Sequence, residues 1–223
     1  MAKFTRIEVA LKMKESGIIP VFYHPDIEVC KQVIKACYDG GLRVFEYTNR
    51  GDYAHEIFID LSRYVQKNYP DMALGAGTII DSPTAGLFIQ SGADFIVSPL
   101  LNAEMAKICN RRKVLWSPGC SSISEISYAE ELGAEIVKIF PANHLGGPGF
   151  VKTIKGPSPW SSLMPSGGVE PSYENLSAWF KAGVYCVGMG SKLMTKEILA
   201  NKDYKQLTDK VKECVTIIKD LSK

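Results

Sequence analysis

The stretch EIVKIFPAN, residues 135–143, decides the fold prediction, since it is a short apolar run with one charge in its middle. A run that is apolar at successive positions indicates a strand covered on both faces, as in a parallel sheet. Lys138 lies inside this run, and a lysine is almost never fully buried without a partner. The stretch therefore predicts a buried strand and raises the question of why it carries an amine.

Similar apolar runs recur along the chain, each followed by a polar or glycine-containing turn and then by a segment with helical periodicity. The predicted strands are 17–22, 42–48, 72–78, 94–99, 114–119, 135–141, 162–168 and 185–190. Helix start signals occur at Asp26, Asp52, Ser82-Pro83, Asn102, Ser122–Glu125 and Pro171-Ser172. We also predict a helix at 4–16, before the first strand, and final helices from about 191 to 221.

Eight such units in about 200 residues predict an α/β fold, a (β/α)8 TIM barrel with an extra N-terminal helix. An open doubly wound sheet is the alternative. No shift of composition and no Pro/Ser-rich linker divides the chain, so we predict that residues 1–223 form a single domain.

Composition limits the class of function. The net charge is +2, so no basic surface indicates nucleic-acid binding. The six cysteines have no metal-ligand spacing, and the three histidines have no carboxylate at ligand spacing, so we expect no metal site. The N-terminal stretch lacks the apolar run of a signal peptide, and no segment is apolar enough for a membrane span, so we expect a cytoplasmic protein without a membrane partner.

The C-terminal ends of barrel strands carry the chemistry of such folds, and Lys138 lies at one of them. It could be a lysine that extends to water from an edge strand, or one paired with a buried acid. In a closed barrel there is no edge strand, which weakens the first alternative. The functional interpretation is a desolvated, partly neutral amine that attacks a carbonyl and forms a Schiff base.

Glu46 is the second charged residue that lies in the interior of an apolar run. It could form a salt bridge with Lys138, Arg43 or Arg50. Its functional interpretation is a general acid/base that moves protons to and from the reacting atoms. A buried acid near a buried amine can serve both purposes, so the two residues together are a stronger signal than either one.

Two glycine-containing loops follow the last two predicted strands. They are Ser166-Gly167-Gly168 and the segment that ends in Gly190-Ser191. Loops after strands 7 and 8 are the usual phosphate site of this barrel, because glycine lets backbone N–H groups approach an anion. Ordinary turn chemistry is the alternative.

A carboxylate could bind near the ends of the second and third strands. Arg50 offers a bidentate guanidinium, and Thr78 ends the segment GAGT at 75–78, whose glycines would give access to the backbone. Without the other predicted site residues, Arg50 would be interpreted as a surface arginine and the glycines of 75–78 as turn residues.

The motifs RVFEYTNR, LGAGTII, FIVSP, VKIFPAN, PSGGV and VGMGS, in this order, resemble the class I 2-keto-3-deoxy-6-phosphogluconate (KDPG) / 2-keto-4-hydroxyglutarate (KHG) aldolases. The resemblance extends from about Ile18 to the last strand. It implies a homotrimeric barrel that acts on a small keto acid and needs no metal or organic cofactor.

The resemblance also implies a role for each site residue. Lys138 matches the Schiff-base lysine and Glu46 the acid/base. Arg50 and Thr78 match residues that hold the pyruvyl carboxylate. The positions that pack around the pyruvyl group are Pro99 and Phe140, and those that bind phosphate are Gly167, Gly168 and Ser191, next to Ser166 and Gly190.

The chain departs from the family at Tyr23, Asn49 and Ser117, which bear on the aldehyde end of the site. The expected products are pyruvate and an aldehyde, glyceraldehyde 3-phosphate or glyoxylate. Two other functions stay open: a sugar-phosphate isomerase or epimerase, and a catalytically silent sensor of a phosphorylated ligand.

Overall fold

The computed structural model describes residues 2–221; Met1, Ser222 and Lys223, which include both ends of the predicted domain, lie outside the described residues. The strands are β1 (Ile18–Phe22), β2 (Val44–Thr48), β3 (Ala73–Gly77), β4 (Phe95–Val97), β5 (Leu115–Ser117), β6 (Gly119–Cys120), β7 (Val137–Ile139), β8 (Leu163–Pro165) and β9 (Val187–Met189). The helices are α1 (Arg6–Ser16), α2 (Ile27–Asp39), α3 (Ala54–Asn68), α4 (Ser82–Gln90), α5 (Ala103–Arg112), α6 (Ile123–Glu131), α7 (Pro148–Lys155), α8 (Tyr173–Lys181), α9 (Lys196–Ala200) and α10 (Tyr204–Leu221). Within residues 2–221, no helix has both the length and the apolar character needed to cross a membrane.

The strands form parallel sheets that curl. One sheet has the order β5-β4-β3-β2-β1-β9 and the other the order β6-β7-β8. The first strand thus lies between β2 and the last strand. Only Pro118 separates β5 from β6, and an isolated parallel bridge joins Ser166, which follows β8, to Gly188 of β9. The predicted α/β class with a parallel sheet is confirmed.

Each predicted strand range contains an observed strand, and the fifth is divided at Pro118. Proline has no N–H and cannot donate to the ladder, which accounts for the interruption. Its carbonyl still accepts a hydrogen bond of 2.9 Å from the N–H of Lys138. The backbone of β7 is therefore hydrogen-bonded to the neighbouring chain segment at Pro118 as well.

Most helix start signals are confirmed by side chains that accept a backbone N–H of the first turn. These capping residues are Asp26, Asn102, Ser122 and Ser172. The start predicted at Asp52 is wrong, because α3 begins at Ala54 and its cap, Tyr53, makes no side-chain hydrogen bond. In α4 the cap is Asp81, one residue before the predicted signal.

Two groups of buried apolar side chains cover the two faces of the sheet. The larger group joins one face to helices α2–α10. The smaller group takes side chains from the other face, among them Ile19, Val44 and Ile136, together with Val9 and Met13 of α1. Side chains two apart on a strand point to the same face. Glu46, two residues after Val44, and Lys138, two after Ile136, therefore share this second face, which we call the inner face.

Candidate active site

Lys138 is buried in the middle of the smaller sheet. The residue is 6% exposed, and its strand, β7, is paired on both sides by β6 and β8. The alternative of a lysine that extends to water from an edge strand is therefore wrong. The ammonium forms no ion pair or hydrogen bond with any residue between 2 and 221, and its Nζ lies 5.1 Å from the centroid of the Phe140 ring.

Glu46 is buried on the same inner face, with 1% exposure. Neither of its carboxylate oxygens has a hydrogen-bond partner among the described residues. The salt bridges proposed for it are absent from this part of the chain, and Arg43 pairs instead with Asp71 at 2.7 Å. A buried polar group without a partner costs free energy, so the free carboxyl group indicates a functional rather than a structural role.

Burial moves the pKa values of the two groups toward each other. Burial raises the pKa of Glu46, while the charges of Lys138 and Arg50 lower it. For Lys138, burial lowers the pKa, the charge of Glu46 raises it and that of Arg50 lowers it. Desolvation is the largest cause for both groups, so each is easier to hold in its neutral form than in water.

A cavity of about 220 Å³ lies at the C-terminal ends of the strands and brings seven of the predicted site residues together. Those residues are Arg50, Phe140, Ser166, Gly167, Gly168, Gly190 and Ser191. Lys138 and Glu46 are not among the residues that line the cavity, but Phe140 is, and its ring lies beside the Lys138 amine. The amine is thus adjacent to a space in which a small ligand fits.

The glycine loop after β8 has the geometry of an anion site. Gly167 and Gly168 have φ values of 96° and 77°, which a residue with a side chain rarely adopts. The backbone N–H groups of Gly167, Gly168 and Ser191 donate no hydrogen bond to any residue that the structure describes. They remain available to a ligand on the wall of the cavity.

Thr78 and Pro99 are not among the residues that line this cavity. Thr78 follows Gly77 at the end of β3 and has a φ of 59°. Pro99 packs against the backbone of Gly119, where an added Cβ atom would lie 2.3 Å from the Pro99 carbonyl oxygen. Gly119 is the ladder partner of Lys138, so Pro99 lies one strand away from the amine.

The two glycines of the segment GAGT lie against protein side chains. A Cβ atom on Gly75 would lie 2.2 Å from the Phe95 ring, and one on Gly77 would lie 1.8 Å from Oε1 of Glu46. Both glycines therefore make room for protein side chains.

Lys192, which is not among the residues predicted from the sequence, also lines the cavity. Its signal was its position directly after Ser191, where a cation extends the predicted anion loop. Between residues 2 and 221, no group of three or more His, Cys, Asp or Glu side chains is arranged to hold a metal ion.

Comparison with known proteins agrees with this geometry. The family model described as KDPG and KHG aldolase matches residues 9–210. The KHG/KDPG aldolase of Escherichia coli strain K12 is 31% identical over 89% of this chain and 90% of its own length. The 2-dehydro-3-deoxy-phosphogluconate aldolase of Haemophilus influenzae is 29% identical over 97% of this chain and 99% of its own.

The fold agrees as well. The crystal structure of KDPG aldolase from Legionella pneumophila, with pyruvate captured as a covalent carbinolamine intermediate, superposes with a TM-score of 0.81. It is 27% identical and covers 91% of this chain and 96% of its own. The chain therefore belongs to the KDPG and KHG aldolase family and is an aldolase, a carbon–carbon lyase.

Proposed function

We propose that this aldolase cleaves a 2-keto-3-deoxy sugar acid, 2-keto-3-deoxy-6-phosphogluconate or 2-keto-4-hydroxyglutarate, through a Schiff base on Lys138. The observation that carries the proposal is the buried amine of Lys138, which has no ion-pair partner among the described residues and lies beside Phe140, a residue that lines the cavity. Burial favours the neutral amine, which is the nucleophile that Schiff-base formation requires.

Lys138 starts the reaction. Its neutral amine adds to the C2 carbonyl to give a carbinolamine, which loses water to form an iminium ion. The C3–C4 bond then breaks and its electron pair moves into the iminium, which becomes an enamine. The enamine takes up a proton at C3, and hydrolysis releases pyruvate and the free lysine. The L. pneumophila relative, with pyruvate bound as a carbinolamine, supports this route.

Glu46 moves the protons of these steps. It accepts the proton of the C4 hydroxyl, through a water molecule, while the C3–C4 bond breaks and C4 becomes the aldehyde. Its raised pKa brings a carboxyl group closer to the operating pH, where a general base and its conjugate acid are both accessible. The free oxygens of Glu46 are consistent with this exchange.

The two ends of the substrate are assigned to two groups of residues. Arg50 and Thr78 hold the pyruvyl carboxylate, and Pro99 and Phe140 pack around the pyruvyl group. Ser166, Gly167, Gly168, Gly190 and Ser191 bind the phosphate. The presence of Arg50 and of both glycine loops on one cavity supports this assignment.

We further propose that the curled sheets form one closed eight-stranded barrel with α1 at one end, and that residues 1–223 are a single domain. Two observations support closure: only Pro118 lies between β5 and β6, and the bridge between Ser166 and Gly188 joins β8 to β9. In a closed barrel β5 and β6 count as one strand.

The proposal includes a cytoplasmic homotrimer. Large apolar side chains are exposed on the segments that follow β3 and β6, where contact with another copy of the chain would bury them. They are Ile80, Leu87, Ile123 and Tyr128, each at least 44% exposed. Light scattering behind a sizing column tests the oligomeric state.

A lactate-dehydrogenase-coupled assay tests the proposed function. We expect pyruvate release from 2-keto-3-deoxy-6-phosphogluconate, and a panel of phosphorylated and unphosphorylated keto acids identifies the preferred aldehyde. Proton exchange without pyruvate would instead indicate an isomerase or epimerase. Ligand binding without turnover of any keto acid would indicate a silent sensor.

A further inference from the structure

Lys192 is a second cation on the cavity, and none of the roles assigned above uses it. It follows Ser191, in the loop after β9. Among the residues that line the cavity only Arg50 and Lys192 are charged, and none is acidic. Arg50 follows β2, so the two cations reach the cavity from two different loops.

Lys192 forms an ion pair with one acidic side chain beside the cavity. Its Nζ lies 2.8 Å from Oε1 of Glu170, and the two side chains are 61% and 46% exposed. Glu170 continues the loop that contains Gly167 and Gly168, so this ion pair joins the two glycine loops. Exposed pairs of this kind contribute at most about 1 kcal/mol. A stronger anion can therefore displace Glu170 at little cost.

We propose that Lys192 determines specificity by binding the terminal phosphoryl group of the substrate, with Glu170 as the ligand that it exchanges. This inference rests on the proposed function. A phosphoryl dianion forms stronger charge-assisted hydrogen bonds than an exposed carboxylate, and lysine supplies a point charge to such groups. The free N–H groups of Gly167, Gly168 and Ser191 hold the other phosphoryl oxygens.

A substrate that carries an anionic group at each end then contacts a cationic side chain with each of these groups. Arg50 takes the carboxylate and Lys192 the phosphoryl group. Since Lys192 contacts the end that does not react, it contributes to binding in the ground state and in the transition state alike, and its loss raises KM while kcat is kept. A keto acid whose far end is uncharged gains nothing from Lys192.

The test compares Lys192→Met with the wild type on two substrates, 2-keto-3-deoxy-6-phosphogluconate and its unphosphorylated counterpart 2-keto-3-deoxygluconate. We expect KM for the phosphorylated substrate to rise about tenfold or more, the scale of a hydrogen bond to a charged group. We expect kcat for that substrate, and both constants for the other, to stay unchanged. Lys192→Arg should restore much of the binding, and inorganic phosphate should inhibit Lys192→Met less than the wild type.

Two further variants complete the design. Glu170→Gln removes the competing charge and should lower KM for the phosphorylated substrate only. Lys196→Met removes a nearby lysine that does not line the cavity and should change neither constant. Equal changes for both substrates in Lys192→Met, or no change for either, would overturn the inference. A wild type that releases no pyruvate from either substrate would instead refute the proposed function.

Discussion

A Cβ atom added to Gly77 would lie 1.8 Å from Oε1 of Glu46 and 2.5 Å from its Cδ. The carboxyl group thus occupies the space that any side chain at residue 77 would need. Both residues belong to paired strands: Gly77 is the ladder partner of Thr48, and Glu46 that of Gly75. Because the ladder fixes both backbones, glycine at 77 determines where the carboxyl group of Glu46 lies.

Gly77→Ala should therefore displace Glu46. We expect kcat to fall and the free energy of unfolding to decrease by about 1–3 kcal/mol, as for an overpacked core. Steady-state kinetics and urea unfolding measure the two effects. Gly149→Ala is the matched control, because a Cβ atom there meets nothing within 4 Å and helix α7 should gain stability. A fully active Gly77→Ala would contradict the account.

Lys138→Met should abolish cleavage and leave the fold intact. The substitution removes the amine, keeps an apolar side chain of similar length, and relieves the cost of a buried charge, so thermal stability at pH 7 should stay the same or rise. The coupled assay and a thermal unfolding curve measure both outcomes. Lys138→Arg keeps a charge without the nucleophile and should be inactive and less stable. Unfolding of Lys138→Met would indicate that the lysine has a structural partner.

Schiff-base formation should depend on pH through the lowered pKa of Lys138. The neutral amine persists below the ordinary value of 10.5, and the rate of imine formation falls as pH drops through the lowered pKa. Between that pKa and 10.5 the unfolded chain binds more protons than the folded one, so this residue's contribution to stability rises with pH. The stability advantage of Lys138→Met should then shrink as pH approaches 10.5. A rate midpoint at the ordinary lysine value would contradict this prediction.

Glu46→Gln should block the proton transfer during C3–C4 cleavage without blocking the attack of the Lys138 amine. The amide keeps the shape of the side chain but cannot accept the proton, so kcat should fall by about 10²–10⁴. The covalent adduct of Lys138 with pyruvate should still form, because the amine attacks first. Steady-state turnover and adduct formation are measured on the same preparation. Complete loss of the adduct would instead assign Glu46 to the addition step.

Thr78 has a strained backbone conformation, which we expect to position it for binding of the keto acid. Its φ of 59° is costly for a β-branched residue, roughly 1–3 kcal/mol, and such strain often marks a functional position. Thr78→Gly should raise KM for the keto acid and increase stability. Lys113→Gly, at a φ of 57° after helix α5, should increase stability without changing KM. An unchanged KM in Thr78→Gly would remove Thr78 from the carboxylate site.

The strands and the two buried charged residues can be predicted from the sequence because each is recognisable within a short stretch of the chain. An apolar run identifies a strand, and Lys138 and Glu46 are conspicuous inside such runs. Capping side chains such as Asn102 mark helix starts directly. The start of α3 cannot be recognised in this way, since the residue at its N-cap position, Tyr53, makes no side-chain hydrogen bond.

Contacts between distant segments cannot be predicted in this way. The sequence indicates that Gly77 is permissive, but only the fold places it against Glu46, 31 positions earlier. Lys192 is an ordinary charged residue in the sequence, and its relation to Glu170 and to the cavity depends on how two loops meet. Register and loop packing set both relationships, and neither follows from local periodicity.

The central claim is that Lys138 forms a Schiff base with a keto acid. Incubating the protein with pyruvate and sodium borohydride reduces the imine to a stable secondary amine, and mass spectrometry of a digest locates it. We predict one adduct, on the peptide that carries Lys138, and none in Lys138→Met. An unmodified Lys138 peptide, or an adduct on another lysine, would contradict the account.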